Sequence, residues 1–400
     1  MKFIITGASG AVGRGLVAKF MSRGAQLLLV GRDPSRLQKL FPGVQCSSYA
    51  DLAKRAAGYD GLLHLAVLNN NVGASANNFV QVNVDLTKSL METAKGAGIK
   101  RFVYVSTTLA LDGRNHSYYA SSKRTASEHV LAAGGMETRV LYPSAIIGDQ
   151  LTGRLAVLNW VAPPLRHYLL CSYGAITPVV SHAAVVDACW NALNAGDFPA
   201  KTVVTSDQTR NPVFRWVKRC IDVLVALTIL VPFSWLLLTV WLGVRLQSRG
   251  PGLFTQKRVG QDGRIFTCYK FRTMAQGSPN VGTHEVSVSL VTPLGKWLRR
   301  TKLDELPQAI NILLNQMSLV GPRPSLPNQA EVIEERRKRG VLAVKPGITG
   351  LAQVNKIDMS QPATLAKWDA QYIQLRSLRL DLSIIVETLK GRGGGDAMTP

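Results

Sequence analysis

Acidic residues are scarce in this chain: 25 aspartates and glutamates stand against 47 lysines and arginines in 400 residues, a formal net charge of +22. Before residue 213 there are 21 cations and 12 acids, and from there on 26 and 13, so the excess is denser downstream. A basic protein can bind nucleic acid. Here, however, an apolar insert borders the more basic part, which points away from nucleic acid and toward anionic lipid and phosphate-bearing substrates. Cysteine is sparse too. Cys46, Cys171, Cys189, Cys220 and Cys268 are scattered with no CxxC pair; this excludes a disulfide framework and a thiolate zinc site and fits reduced cytoplasmic thiols. The first residues form a strand pattern, so no cleavable signal peptide is expected. The length suits two or three domains, each large enough for its own core.

What is present in abundance is one long apolar run. Residues 221–244, IDVLVALTILVPFSWLLLTVWLGV, are almost uncharged, with Lys218 and Arg219 before them and Arg245 and Arg249 after. About 24 helical residues reach roughly 36 Å, enough to cross a hydrocarbon core of about 30 Å. Length alone reads as a transmembrane helix. Against a plain span, Pro232 removes a helical hydrogen bond in mid-run and clashes with the preceding turn. Basic residues at both ends also leave the loop-charge bias without a direction. The alternative is a re-entrant helix, broken and returning to the same face, with protein contacts satisfying the freed backbone groups.

Upstream, residues 2–6 read as a buried strand running into Gly7-Ala8-Ser9-Gly10-Ala11-Val12-Gly13, after which Leu16, Val17 and Phe20 recur at helical spacing. Glycines belong there because the chain turns tightly, its backbone approaches a pyrophosphate and the helix packs close to the strand. A second strand, residues 26–30, ends in Gly31-Arg32-Asp33, where an adenosine ribose is read. An acid alone favours NAD; Arg32, with Arg36 and Arg14 expected nearby, can meet a 2′-phosphate, so NADP is expected over NAD. Further strands at Tyr59 to Ala66 and Phe102 to Ser106, alternating with helices, argue for a doubly wound parallel sheet. Thr107 closes a strand, and Tyr119 and Lys123 lie one helical turn apart, where an ammonium can lower the phenol pKa.

With Gly7, Gly10, Gly13, the DGLLHLA stretch, Asn83, Thr87 and Glu128, this pattern resembles the extended short-chain dehydrogenase/reductase family of nucleotide-sugar epimerases, dehydratases and reductases, over about residues 1–205. The resemblance implies a Rossmann-like fold, Tyr119 as proton donor, Lys123 as its partner and ribose contact, and Thr107 as the hydroxyl polarising the substrate oxygen, with Thr108 as fallback. Two departures stand out. The family's Arg-Pro pair reads Tyr142-Pro143, and fewer than about 100 residues separate Lys123 from the apolar run, short for a substrate domain. Reductase, epimerase and non-catalytic regulatory module all stay open.

Downstream, Lys270-Phe271-Arg272-Thr273-Met274 alternates cations with apolar neighbours in a strand-like pattern, which would put Lys270 and Arg272 on one face, toward phosphate. After a helical stretch come Leu303-Asp304-Glu305-Leu306-Pro307, where adjacent carboxylates at a helix start suit a nucleophile beside a metal-holding acid. Together with Lys218-Arg219 to Asp222, the apolar run, Met317 to Pro324 and Lys345 to Val354, these resemble the bacterial sugar transferases called monotopic phosphoglycosyl transferases, over about residues 213–392. That resemblance implies a re-entrant membrane helix, then a small α/β-type catalytic domain. Asp304 would take phospho-sugar from a UDP-sugar with release of UMP, Glu305 with Asp304 would hold Mg2+, and polyprenol (undecaprenyl) phosphate would collect the sugar. Lys270, Arg272 and Arg323 would bind phosphate. Two departures are Ser234-Trp235 for the family's helix-breaking Ser-Pro, with Pro232 displaced, and Gln316 for the acid before Met317.

The expected organisation is a nucleotide-binding domain at 1–205, a linker at 206–217, a re-entrant membrane helix at 218–245, a catalytic domain at 246–392 and a disordered tail at 393–400. NADPH and UDP-sugars are cytoplasmic, so both domains are expected on the cytoplasmic face of the bacterial inner membrane, with Arg336 to Arg339 toward anionic headgroups. A homodimer stays open. The expected chemistry is NADPH-dependent reduction of a UDP-4-keto-6-deoxy sugar followed by phospho-sugar transfer.

Overall fold

The computed structural model describes residues 1–69, 75–148, 151, 153–278 and 290–392. The chain divides into two compact units, residues 1–166 with 178–206, and residues 167–177 with 207–400. The tail 393–400 lies outside the described residues.

In the first unit, β1 (Lys2–Thr6), β2 (Gln26–Val30), β3 (Gln45–Ser47), β4 (Gly61–His64), β5 (Arg101–Val105) and β6 (Glu137–Pro143) precede a short pair, β7 (Ala145–Ile147) and β8 (Val179–Ser181), and then β9 (Lys201–Val204). Seven of them form a sheet in the order β3-β2-β1-β4-β5-β6-β9, every neighbouring pair parallel. This is the expected doubly wound order, with its crevice where β1 and β4 part the two halves. Both faces are covered, so the strands are apolar throughout and alternate between two cores. Phe3, Ile5, Leu29, Leu63 and Val103 pack on the side of the helices Ala11–Ser22 and His182–Asn194, while Ile4, Leu28, Leu62, Phe102 and Tyr104 pack with Leu90, Met91, Ala126 and Val130 on the other. A buried polar thread runs through the second face. His64 accepts or donates between Thr6 Oγ1 at 2.6 Å and Thr87 Oγ1 at 3.0 Å, and burial holds its ring neutral, with a pKa down at about 3. Asn83, in the π-helical turn Gln81–Asp85, donates to Ser122 Oγ at 3.0 Å and so ties that turn to the helix Tyr118–Ala132.

The second unit begins earlier than the expected linker allows. Asn211 caps the helix Pro212–Leu230 by accepting from the backbone N–H groups of Val213 and Phe214, so half of the segment read as a linker is helix. That helix stops at Val231, and Ser234–Gln247 follows at a bend of 59°, with Pro232 in the break. Among the described residues no single helix is long and apolar enough to cross a membrane; the bent pair is the one candidate by length and composition. Leu224, Val231, Trp235, Leu238 and Leu246 on the pair are exposed. Three charges of the first helix face inward, whereas Arg215 and Arg245 are exposed: Lys218 donates to Val320 O at 3.0 Å and to Asp381 at 2.6 Å, Arg219 donates to the carbonyls of Ile312 and Leu313, and Asp222 accepts from Leu319 N–H and Ser318 Oγ. These groups fasten the first helix to the domain instead of anchoring it at a headgroup layer.

The rest of the second unit packs helices around two small sheets, an antiparallel hairpin of β10 (Leu253–Val259) with β11 (Ile265–Phe271) and a parallel pair of β12 (Ser318–Val320) with β13 (Gly347–Thr349). The loop after β12, residues 321–324, is held by two guanidinium groups. Arg258 donates to Pro324 O at 2.9 Å, and Arg336 donates to Arg323 O at 2.8 Å while pairing with Asp369 at 2.7 and 2.9 Å. Arg336 is therefore buried and unavailable to lipid, and Arg337, Lys338 and Arg339 pair with Glu334 and Glu335 of their own helix. A buried ion pair that loses one member leaves an uncompensated charge, which costs about 3–5 kcal/mol. Asp369→Ala is expected to lower unfolding stability by that amount in a denaturant titration, whereas Asp369→Leu combined with Arg336→Met, which removes both charges, loses less.

Candidate functional site

Two clusters of functional side chains form, one in each unit. In the second, the helix Pro293–Thr301 ends at Lys302, whose φ of 59° is left-handed, and the chain turns at once into the 3-10 segment Leu303–Gln308. A non-glycine residue there is strained by roughly 1–2 kcal/mol. The reversal brings Asp304 and Glu305 against β11. Glu305 Oε1 accepts from Lys270 Nζ at 2.7 Å and lies 3.5 Å from the guanidinium of Arg323. Asn311, fully buried, locks the arrangement: it accepts from Tyr269 N–H and donates to Thr267 O and Gln316 Oε1. Gln316, standing where the family pattern has an acid, thus serves as a neutral acceptor inside this lock.

The two carboxyls are driven apart. Burial and the neighbouring Glu305 charge raise Asp304 above the usual carboxylate range. Burial would raise Glu305 as well, but Lys270 and Arg323 overcome it and hold that carboxyl low and ionised. Arg258, Lys270 and Arg323 line one small pocket with Glu305, Gln308 and Cys268, a cavity with room for about one water (≈ 10 Å³). Sequence reading missed Arg258 and Gln308. Arg258 follows Gln256 at strand spacing in β10, a signal that the register of the hairpin would have exposed.

Arg272 does not join this cluster. β11 ends at Phe271, so the period-two relation with Lys270 is broken, and the Arg272 guanidinium donates instead to the carbonyls of Ser248 at 2.8 Å and Arg249 at 2.6 Å, just past the helix Ser234–Gln247. It fastens the end of the bent pair. Asp304 and Glu305 form a donor set that suits a hard divalent cation, which takes one or two carboxylates and completes its shell with phosphate and water. Among the described residues no group of three or more His, Cys, Asp or Glu offers an all-protein cage.

In the first unit, Gly7 sits at φ +76°, and a Cβ on it would lie 2.5 Å from Ala66 N; one on Gly13 would lie 2.5 Å from Gly7 O. The close packing of turn, strand and helix needs both. A Cβ on Gly10 would lie 3.3 Å from Gly7 O, a tight contact, and as N-cap of Ala11–Ser22 this glycine offers no side-chain acceptor, leaving the first N–H groups free for an anion. Asp33 spends its carboxylate as N-cap of Pro34–Leu40, accepting from Arg36 N–H at 3.0 Å, while Arg32 and Arg36 stay exposed at the end of β2.

Tyr119, Lys123 and Thr107 come together, though not with the expected electrostatics. Lys123 is buried, donates to Val105 O at 2.8 Å and lies 4.5 Å over the Tyr104 ring; burial drops its pKa to about 7. The Tyr119 phenol is raised by burial, and the hydrogen bond with Thr107 lowers it only in part. With no carboxylate bonded to it, the Lys123 ammonium is held by the carbonyl at the end of β5. Thr107, not Thr108, makes the contact. Tyr142, in the place of the family's arginine, is buried against Ser127.

Comparison with known proteins divides the chain in the same way. Residues 213–392 match the bacterial sugar transferase family, and residues 3–160 match the NAD dependent epimerase/dehydratase family. Exopolysaccharide production protein ExoY of Rhizobium meliloti is 33% identical over 195 residues, which are 44% of this chain and 86% of that protein. Undecaprenyl-phosphate glucose phosphotransferase of Komagataeibacter xylinus is 36% identical over 200 residues, 45% of this chain and 37% of that one. The chain spans less than half the length of that relative and of two others that it matches at 44% and 41% of their length. The solved structure of MoeE5 in complex with UDP-glucose and NAD aligns at 19% identity and a TM-score of 0.41, covering 52% of this chain and 77% of that one.

The opposed carboxyls give an expected titration. Because the Asp304 carboxyl is raised, to about 6, it should protonate at mildly acidic pH while Glu305 stays ionised. Carbon-13 shifts of labelled aspartate should place its midpoint near pH 6, and Glu305→Gln, which removes the like charge, should move it down. A midpoint unmoved by Glu305→Gln would show that the two carboxyls do not interact.

Proposed function

Since the chain belongs to the bacterial sugar transferase family, we propose that it transfers a sugar phosphate from a UDP-sugar to undecaprenyl phosphate through Asp304, and that its first unit prepares that UDP-sugar. The observation that carries the first part is a nucleophile-competent carboxylate, Asp304, beside a second one held ionised under Lys270 and Arg323. An ionised Asp304 oxygen attacks the phosphorus bonded to the sugar, the bridging P–O bond breaks, and UMP departs with the electron pair. Attack by the lipid phosphate on the same phosphorus then frees the carboxylate. Lys270 and Arg323 offset charge on the diphosphate, and Arg258 holds the loop that carries Arg323. Asp304 and Glu305 would hold Mg2+, which would neutralise the leaving phosphate.

The bent helix pair is the re-entrant anchor in this reading, and both units act on the cytoplasmic side of the inner membrane, where UDP-sugars and NADPH are found. In the first unit, Tyr119 gives the proton, Thr107 steadies the substrate oxygen, and Gly7, Gly10, Gly13 and Lys123 hold a nicotinamide cofactor. Exposed Arg32 and Arg36, with Asp33 engaged as a cap, favour NADP. The reaction is reduction of a UDP-4-keto-6-deoxy sugar, probed first with the N-acetylated form. The same Tyr119 set serves a 4-epimerase, which returns the hydride, and the matched family carries that name.

Asp304→Asn should abolish UMP release, since an amide cannot form the acyl phosphate; near-normal release would remove Asp304 as nucleophile. Tyr119→Phe should slow formation of reduced lipid-linked sugar from the keto substrate by about 10²–10⁴-fold and leave UMP release from pre-reduced UDP-sugar intact. One NADPH consumed per product supports the reductase, none the epimerase, and cofactor binding without turnover a regulatory unit.

A further inference from the structure

An ammonium taken out of water needs a compensating partner, because burial by itself favours the neutral amine. Lys123, inside the first unit, is 2% exposed, and its ammonium donates to a neutral acceptor, the carbonyl of Val105, at 2.8 Å. The acids on the elements packed against its helix are Asp85 in the turn Gln81–Asp85, Glu92 on the helix Leu86–Gly96 and Glu137 on β6; Glu128 lies on its own helix. All four are exposed, and Glu137 is taken by Arg101 and Arg139. Among the described residues no carboxylate bonds to Lys123. The other ionisable groups about it are His64 on β4, Tyr104 on β5, Tyr142 on β6 and Tyr119 on its own helix.

What the ammonium has besides a carbonyl is a ring face. Lys123 Nζ stands 4.5 Å from the centroid of the Tyr104 ring, within the distance of about 6 Å at which an aromatic quadrupole attracts a cation, and such a contact is strongest where water is excluded. Tyr104 is fully buried, and burial holds its phenol neutral, so it offers a π face and no charge. The ring is also fixed in place. His64 stacks on it with centroids 5.5 Å apart and planes at 29°, and His64 is itself pinned between Thr6 Oγ1 and Thr87 Oγ1. Held neutral by burial, that imidazole does not compete for the ring as a second cation.

We propose that Tyr104 is a positioning residue: its ring face, standing where an acid would otherwise be needed, keeps Lys123 charged beside Tyr119 and so sets the pH range over which the two act together. The proposal rests on the reading of Lys123 as the partner of Tyr119. The sign follows from the charge. The ring attracts the ammonium and not the neutral amine, so it raises the proton affinity of a lysine that burial draws down to about 7. Weakening the ring face moves the Lys123 midpoint further down, and the ammonium is then lost at lower pH as pH rises.

The test keeps the size of the ring and weakens its face. In the full chain, Tyr104→Phe is compared with Tyr104→monofluorophenylalanine, Tyr104→trifluorophenylalanine and Tyr104→pentafluorophenylalanine, since each fluorine draws negative charge off the ring face. Lysine labelled with carbon-13 at Cε reports the Lys123 midpoint, with Lys123→Met identifying its signal, and the rate of keto-sugar reduction is followed against pH in parallel. The midpoint should fall step by step from the phenylalanine to the pentafluoro variant, a loss of roughly tenfold in proton affinity over the series, and the alkaline limb of the rate should move down with it. A midpoint indifferent to fluorination would overturn the proposal and leave the ammonium to the Val105 carbonyl alone. A midpoint that falls while the alkaline limb stays in place would instead overturn the reading of Lys123 as the partner of Tyr119, and the place of Tyr104 in the reaction with it.

Discussion

Two carboxylates on consecutive residues cannot both stay charged in a half-buried site unless cations are brought to them, and much of the second unit answers that constraint. Lys270 reaches Glu305 from one strand of the hairpin and Arg323 from the loop after β12. Neither would stay there unaided. Asn311 fixes the hairpin to the short helix behind the carboxylates, and Arg258 and Arg336 grip the consecutive carbonyls of Pro324 and Arg323. The left-handed turn at Lys302 is the local strain accepted so that the pair faces these cations instead of continuing along the preceding helix. With Glu305 satisfied, the remaining electrostatic pressure falls on Asp304, the proposed nucleophile.

The bent pair obeys a different constraint. Much of its outward surface is apolar, and Lys218, Arg219 and Asp222 are turned into the domain and bonded to backbone carbonyls, a backbone N–H group and one carboxylate, while Arg215 and Arg245 stay exposed. Arg272 does the same at the far end. A helix pair fastened at both ends through buried charges has a fixed attitude to its domain, which a flexible tether would not provide.

Much of this was legible in the sequence. Strands of a parallel sheet covered on both faces are short apolar runs, and Gly7 and Gly13 mark the turn because no other residue fits beside Ala66 and Gly7 O. Pro232 announced the break, and the adjacent acids with Lys270 and Arg323 announced the carboxylate cluster. What the sequence hid were directions and distant partners. Arg272 matched Lys270 in spacing, yet the strand ended one residue too soon. Arg336 sat in a cluster of four cations that reads as a surface patch, and its burial depends on Asp369 in another helix. Lys218 and Arg219 read only as basic flanks of the apolar run, because their acceptors come from segments some hundred residues away. Lys123 shows the limit of a motif, since spacing set it one turn from Tyr119 but a strand-end carbonyl captured its ammonium.

The ammonium of Lys218 bonds at once to Asp381 and to the carbonyl of Val320, the residue immediately before the loop that carries Arg323. With the bent pair embedded as proposed, any vertical shift of the helix Pro212–Leu230 pulls on that carbonyl. Lys218 is thus a mechanical joint: the seat of that helix and the start of the loop that carries Arg323 are tied through one ammonium.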